Sequence, residues 1–261
     1  MPSRDQREPG VSQPHPPRRT DEAVIYGLHA TAAALANPDR AIHRLYLTDN
    51  AERQLHHLLV QRNLTHARVN PRDLDRRLGA NTVHQGTLLE TEPLPDVAMA
   101  KLATVGGYRP LVVLDQVTDP HNVGAILRSS AAFGAAGLVM TRRHSPALAG
   151  ALAKSASGAL EHVPVARVAN LARAISELKT RCTVIGLDAE GDQPIEELRW
   201  PEHGAVVLGA EGKGLRQLTR QNCDLLCRIT MDGLLASLNV SNAAAIALHL
   251  ASRARRAGAT R

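Results

Sequence analysis

Aromatic side chains make up only 2% of this 261-residue chain, and Tyr26, Tyr46, Tyr108, Phe133 and Trp200 are the whole set. Proteins that read single-stranded nucleic acid by stacking bases need aromatic platforms, which argues against that mode of binding here. Cysteine is almost as scarce. Cys182, Cys223 and Cys227 make an odd number with no disulfide framework, and the Cys223/Cys227 spacing lacks the second pair of a zinc site. All three read as small buried hydrophobes. The histidines are scattered without ligand spacing, His56 beside His57 and His121, His144 and His162 far apart, so no metal is expected. No G-x-S-x-G elbow offers an acyl-transfer nucleophile. No apolar run approaches the roughly 18 residues of a membrane span. The opening MPSRDQREPGVSQPHPPRRT has no apolar centre of the kind a signal peptide needs. These absences lead to the expectation of a soluble, cytoplasmic protein.

What is present is a 44% hydrophobic content, ample for a core, and a net charge of +6 carried almost wholly by arginine, since Lys101, Lys154, Lys179 and Lys213 are the only lysines. Such a balance suits a polyanionic partner bound through phosphate contacts and shape. Residues 1–21 are polar and proline-rich and read as a disordered tail. Residues 22–92 alternate short helical and strand patterns and read as a small α/β unit. A linker over 93–110, broken by Gly106, Gly107 and Pro110, holds one short helix at most. Over 111–257 apolar strands (LVVLD, GLVM, VPVA, TVIGL, AVVLG, LLCRI) alternate with helical segments at 121–133, 147–157, 170–179, 214–221 and 238–255. Continuous apolar strands between helices imply a parallel sheet covered on both faces, with ligands beyond the carboxyl ends of its strands.

Three strand-to-helix junctions carry candidate chemistry. In QVTDPHNVGAILRSS, Asp119 and Pro120 fit an N-cap and first helical position. Gly124 lies one turn before Arg128, and its missing side chain is expected to clear a path for the guanidinium. In AVVLGAEGKGLRQL, Gly209, Gly212 and Gly214 follow a strand as in a nucleotide loop, but neither phosphate motif is matched and Glu211 sits where a polyphosphate would be repelled. A nucleoside without phosphates, especially a cationic one, fits better. In RITMDGLLASLNVSN, Ile229, Met231 and Leu238 can sandwich a flat ring. The helix that follows is alanine and aliphatic nearly all round, which implies burial between other elements, yet Ser237, Asn239, Ser241 and Asn242 crowd its head. Buried hydroxyls and amides need partners. Ser237 is expected to be the N-cap, and the others await a ligand or backbone.

In this order the three junctions resemble the three motifs of the SpoU (TrmH-type) RNA 2′-O-ribose methyltransferases: NVGAILR, LGAEGKGL and ITMDGLLASLNVSNAAAIAL. The likeness extends over about residues 22–255. IYGLHATAAAL and VHQG further resemble a branch of that family that methylates a guanosine in large-subunit ribosomal RNA; its N-terminal unit is similar to ribosomal-protein-like RNA-binding domains. The resemblance implies a SPOUT-type, Rossmann-like parallel sheet whose C-terminal segments form a trefoil knot, which ordinary topology rules would not suggest. It implies S-adenosylmethionine as cofactor, RNA (large-subunit rRNA foremost) as partner and a homodimer. It places catalysis on Asn122, Arg128, Glu211, Ser237 and Asn239, and cofactor binding on Gly209, Ile229, Met231 and Leu238. A tRNA ribose methyltransferase and a noncatalytic rRNA-binding assembly factor are the alternatives.

Overall fold

The computed structural model describes residues 23–105, 107–234 and 237–258. The N-terminal part contains β1 (Ala23–Tyr26), α1 (Leu28–Ala36), β2 (Ile42–Leu47), α2 (Asp49–Gln61), β3 (Ala67–Arg68), α3 (Pro71–Leu78) and β4 (Thr87–Thr91). Its strands form a mixed sheet in the order β1-β4-β2-β3. Local chemistry sets the boundaries. Asn70 and Asp73 exchange side-chain-to-backbone hydrogen bonds of 3.0 and 3.1 Å, a capping box that starts α3 with Pro71 in its first turn. A short α4 (Met99–Leu102) lies in the connection.

The second part runs β5 (Leu111–Asp115), α5 (Pro120–Phe133), β6 (Gly137–Thr141), α6 (Gly150–Ala156), β7 (Val165–Val168), α7 (Leu171–Leu178), β8 (Thr183–Leu187), β9 (Gln193–Pro194), β10 (Gly204–Gly209), α8 (Gln217–Asn222), β11 (Leu225–Arg228) and α9 (Val240–Gly258). Its seven strands pair in parallel throughout, in the order β7-β6-β5-β10-β8-β11-β9. The apolar strands of the sequence are buried along their length in β5 and β10, as a sheet covered on both faces requires. One face packs on α5, α6 and α9, and that core continues without a break into the N-terminal part. The other face packs on α4 and α7.

A buried ion pair closes the seam between the two parts. Arg40, 1% exposed, gives two hydrogen bonds to Glu161, at 2.5 and 3.2 Å, and a third to the Glu92 carbonyl at 2.9 Å. Asn37 donates to the same Glu161 carboxylate at 2.8 Å. Removing one member strands the other in the interior, at a cost of about 3–5 kcal/mol. Glu161→Ala should therefore shift the urea midpoint well down; an unchanged midpoint would show that water reaches the seam.

Three features differ from the sequence expectations. The helix expected at 214–221 begins only at Gln217, because Gly214 and Arg216 still serve the preceding turn. The edge strand β9 is only two residues long, too short for a periodic signal. The last helix is not apolar all round: Val240, Ala244, Ala247, Leu248 and Ala251 face the core, while Asn242, His249 and Arg253 are exposed. Alanine, small enough for either environment, disguised a one-sided helix. Among the described residues no helix is long and apolar enough to cross a membrane.

Candidate active site

The sheet brings the carboxyl ends of β5, β10 and β8 side by side, with Gly209 paired to Asp115 and Leu208 paired to Leu187. From β5 the chain builds outward through β6 and β7 on one side, while β10, β8 and β11 lie on the other. The β5/β10 boundary is thus the switch point at which open α/β sheets bind ligands.

The turn leaving β10 is built to lie flat on the sheet end. A Cβ on Gly209 would overlap the carbonyl of Gly214 and the nitrogen of Leu215. Ala210 and Gly214 exchange backbone hydrogen bonds of 3.1 and 2.9 Å, and Gly212 and Gly214 take φ of 75° and 64°, values that favour glycine. Asp115, fully buried at the end of β5, clamps the exit of this turn. Its carboxylate accepts from the Arg216 backbone at 3.1 Å and from Arg216 Nε at 2.6 Å. Asp115 and Arg216 were missed as site residues, although the charge closing the apolar run LVVLD was the available signal.

Held in this way, Glu211 meets the head of α5. Asn122 Nδ2 donates to Glu211 Oε2 at 3.2 Å, and Asn122 Oδ1 accepts from Asn239 Nδ2 at 3.0 Å. Asn239 Oδ1 in turn accepts from the Ser241 backbone at 2.8 Å and from its hydroxyl at 2.6 Å. One hydrogen-bonded chain therefore ties all three junctions together. The carboxylate can only accept, which fixes the orientation of the Asn122 amide and, through it, that of Asn239. The expected Ser237 cap is corrected by this geometry. Asn239 caps α9, its side chain reaching the second helical N–H, whereas Ser237 lies outside the helix and is exposed.

Beside this chain lies a cavity of about 390 Å³. Gly209, Glu211, Ile229, Met231, Ser237 and Leu238 line it, so all four residues expected to bind cofactor border the same cavity. Asp188, Glu190, Lys213 and Arg220 also line it, giving three carboxylates, with Glu211, against two cations. Arg128 stands apart: it is exposed on α5, outside the cavity wall, and makes no hydrogen bond or ion pair among the described residues. None of the cysteines enters the wall, and burial pushes the Cys223 thiol up to about 12, which removes it as a nucleophile.

The role expected for Gly124 is also corrected. A Cβ there would sit 2.6 Å from the Leu152 carbonyl oxygen and 2.6 Å from Ser155 Cβ. The missing side chain lets α6 approach α5 and clears no path for Arg128. Gly124→Ala should force the helices apart and cost about 1–3 kcal/mol, seen as a lower melting temperature. An unchanged melting temperature would restore the earlier reading.

Comparison with known proteins agrees with this layout. The model of the SpoU rRNA Methylase family matches residues 109–249, and that of the RNA 2′-O ribose methyltransferase substrate-binding domain matches residues 24–97. The chain is 39% identical over 233 residues to the 23S rRNA (guanosine-2′-O-)-methyltransferase RlmB of Pasteurella multocida (strain Pm70), covering 86% of this chain and 95% of the relative. Its fold is similar to that of the SpoU methyltransferase AviRb from Streptomyces viridochromogenes, solved with AdoMet, at a TM-score of 0.77 and 24% identity over 91% and 92% of the two chains. A structure solved for 2-OH methylation of C/U34 on tRNA matches at TM-score 0.53 and 26% identity, covering 99% of itself but only 59% of this chain. With three motifs joined by one hydrogen-bonded chain and a family model spanning more than half its length, this chain belongs to the SpoU rRNA methylase family.

Proposed function

We propose that this chain transfers a methyl group from S-adenosylmethionine to the ribose 2′-hydroxyl of a guanosine in large-subunit (23S) ribosomal RNA. The observation that carries this reading is the hydrogen-bonded chain Glu211–Asn122–Asn239 bordering a cavity whose wall is rich in carboxylate. The cavity is of small-molecule size. Its glycine turn admits close backbone contact, and its excess of acid over base suits a cationic, phosphate-free nucleoside. The residues present therefore fit S-adenosylmethionine, which supplies an electrophilic methyl on a positively charged sulfur when bound. Gly209, Ile229, Met231 and Leu238, which line the cavity, would hold the nucleoside, the three apolar side chains suiting its flat ring. Glu211, fixed by Asn122, offers negative charge to the cation, and Ser237 and Asn239 stand ready to orient the target ribose. The Arg128 guanidinium only donates hydrogen bonds and does not serve as a proton acceptor. Its part is electrostatic, holding a target phosphate or the developing alkoxide.

In this reading residues 22–92 hold the RNA, 111–257 form the methyltransferase, and 93–110 join them; the 1–21 tail lies outside the described residues. The rRNA assignment is supported by the 39% identity to the 23S rRNA enzyme over 86% of this chain, whereas the structure titled for tRNA matches only 59% of it. Two further properties of the family belong to the same proposal, the knotted C-terminal thread and a homodimer. In a single chain Ile246 and Leu250 of α9 are only half-buried, which leaves a face a second copy can cover. A cytoplasmic location follows from an RNA substrate of that kind.

The test is methylation of purified 23S rRNA and tRNA with labelled cofactor, followed by mapping of the 2′-O-methyl site. Label in a single guanosine of 23S rRNA is expected. Label in tRNA alone would favour the tRNA alternative, and label in neither RNA would favour an assembly factor.

A further inference from the structure

The loop leaving β8 lines the cavity between the exits of β10 and β11, and none of the three motifs includes it. β8 and β10 pair in parallel with Leu187 beside Leu208, so Asp188 and Gly209 leave the sheet as neighbours. The Asp188 side chain is 9% exposed, and both of its oxygens are anchored. Oδ1 accepts from the Glu190 backbone at 3.0 Å, and Oδ2 lies 3.4 Å from Arg220 Nε. An ionised carboxylate offers about four acceptor positions, so two anchors leave capacity for a ligand.

We propose that Asp188 is the ribose-binding residue of the cofactor cavity, its carboxylate accepting hydrogen bonds from the ribose hydroxyls. This rests on the reading of the cavity as a site for S-adenosylmethionine. Glu211, leaving β10, would face the cationic sulfur, and Ile229 and Met231, leaving β11, would with Leu238 receive the purine; β8 lies between those two strands. The ribose links purine to sulfur, so it crosses the strip between them. There Gly209 presents backbone alone, and Asp188 is the least exposed carboxylate of the wall. Hydroxyl donors on an anchored carboxylate make charge-assisted bonds, stronger than neutral ones. Doubly wound nucleotide folds hold ribose in the same way, with an acid at the end of the strand beside the glycine-rich turn; β8 beside β10 reproduces that placement. Glu190 is a poorer candidate, since its side chain is 81% exposed and water competes for it. Arg220, bonded to Glu190 at 3.3 Å and next to Asp188, serves to keep the Asp188 carboxylate aimed.

The experiment is calorimetric titration of the full chain with 5′-methylthioadenosine, its 2′-deoxy and 3′-deoxy forms, and S-adenosylhomocysteine. The unmodified protein should bind at least one deoxy form about 10- to 100-fold more weakly than the parent, the range of a charged hydrogen bond. Asp188→Ala should lose a similar factor for the parent and no longer discriminate. Asp188→Asn retains an acceptor for the Glu190 N–H and so keeps the test open if the alanine variant does not fold; it too should lose discrimination. Equal binding of parent and both deoxy forms by the unmodified protein would overturn the proposal. So would Asp188 variants that weaken S-adenosylhomocysteine alone, since that places Asp188 at the amino-acid end. If the unmodified protein binds none of these adenosine compounds, the cofactor reading itself falls.

Discussion

Arg128→Ala should lose about 100- to 1,000-fold in the rate of methyl transfer, the range seen when one donor to a developing negative charge is removed. Cofactor affinity and stability should stay where they were. The structure makes this separation sharp. Arg128 is exposed, lies outside the cavity wall and makes no hydrogen bond or ion pair among the described residues. Its removal therefore leaves no orphaned partner and no cavity, the two usual sources of large destabilisation. What disappears is a permanent positive charge with five donors on the helix that also carries Asn122. Arg128→Lys keeps the charge but loses the planar fork, so it should fall between the two. Single-turnover kinetics alongside titration with S-adenosylhomocysteine separates the outcomes. Lost cofactor binding, or turnover close to that of the unmodified protein, would remove Arg128 from its electrostatic role.

The sequence and the structure meet most closely where local chemistry and the parallel sheet speak together. Apolar strands between helices announced a doubly covered sheet, and each glycine-bearing junction fell at a strand's carboxyl end. The Asp119 cap of α5 formed as expected, with a 3.0 Å bond from the His121 backbone. The failures have a common physical origin: they depend on what a residue meets across space. Gly124 could be read as a gap, but only the approach of α6 shows what fills it. Ser237 and Asn239 are both good capping residues by type. The choice fell to Asn239, whose amide also meets Asn122, a partner 117 residues earlier in the chain. Asp115 and Asp188 each close an apolar strand, but their significance appears only once β5, β10 and β8 lie side by side. Their partners, Arg216 and Arg220, are separated from them by other strands and helices, so no local pattern announces the pairs.

Gly209→Ala should abolish binding of the cofactor analogue, while Gly212→Ala, three residues later in the same turn, should leave most of it. The two glycines do different jobs. At Gly212 the constraint is conformational: φ is 75° and a Cβ would meet nothing within 4 Å. Alanine there pays the left-handed penalty of about 1–2 kcal/mol but can keep the shape of the turn. At Gly209 the constraint is spatial, since a Cβ would overlap the Gly214 carbonyl and the Leu215 nitrogen, all of it backbone. No side-chain rotation relieves that overlap, so the turn must lift from the sheet. Lifting it breaks the paired Ala210–Gly214 bonds, pulls Arg216 from the buried Asp115 and withdraws Glu211 from Asn122. A displacement near 1 Å at a positioned site can cost about 100-fold, and here it moves the backbone against which the nucleoside would lie. Asp115, fully buried and then without its cation, adds the cost of an unpaired interior charge, so the melting temperature should fall as well. Titration with S-adenosylhomocysteine and thermal unfolding of both variants decide the matter. Equal losses at the two positions would mean that backbone conformation, and not the contact between Gly209 and Gly214, sets the cofactor turn.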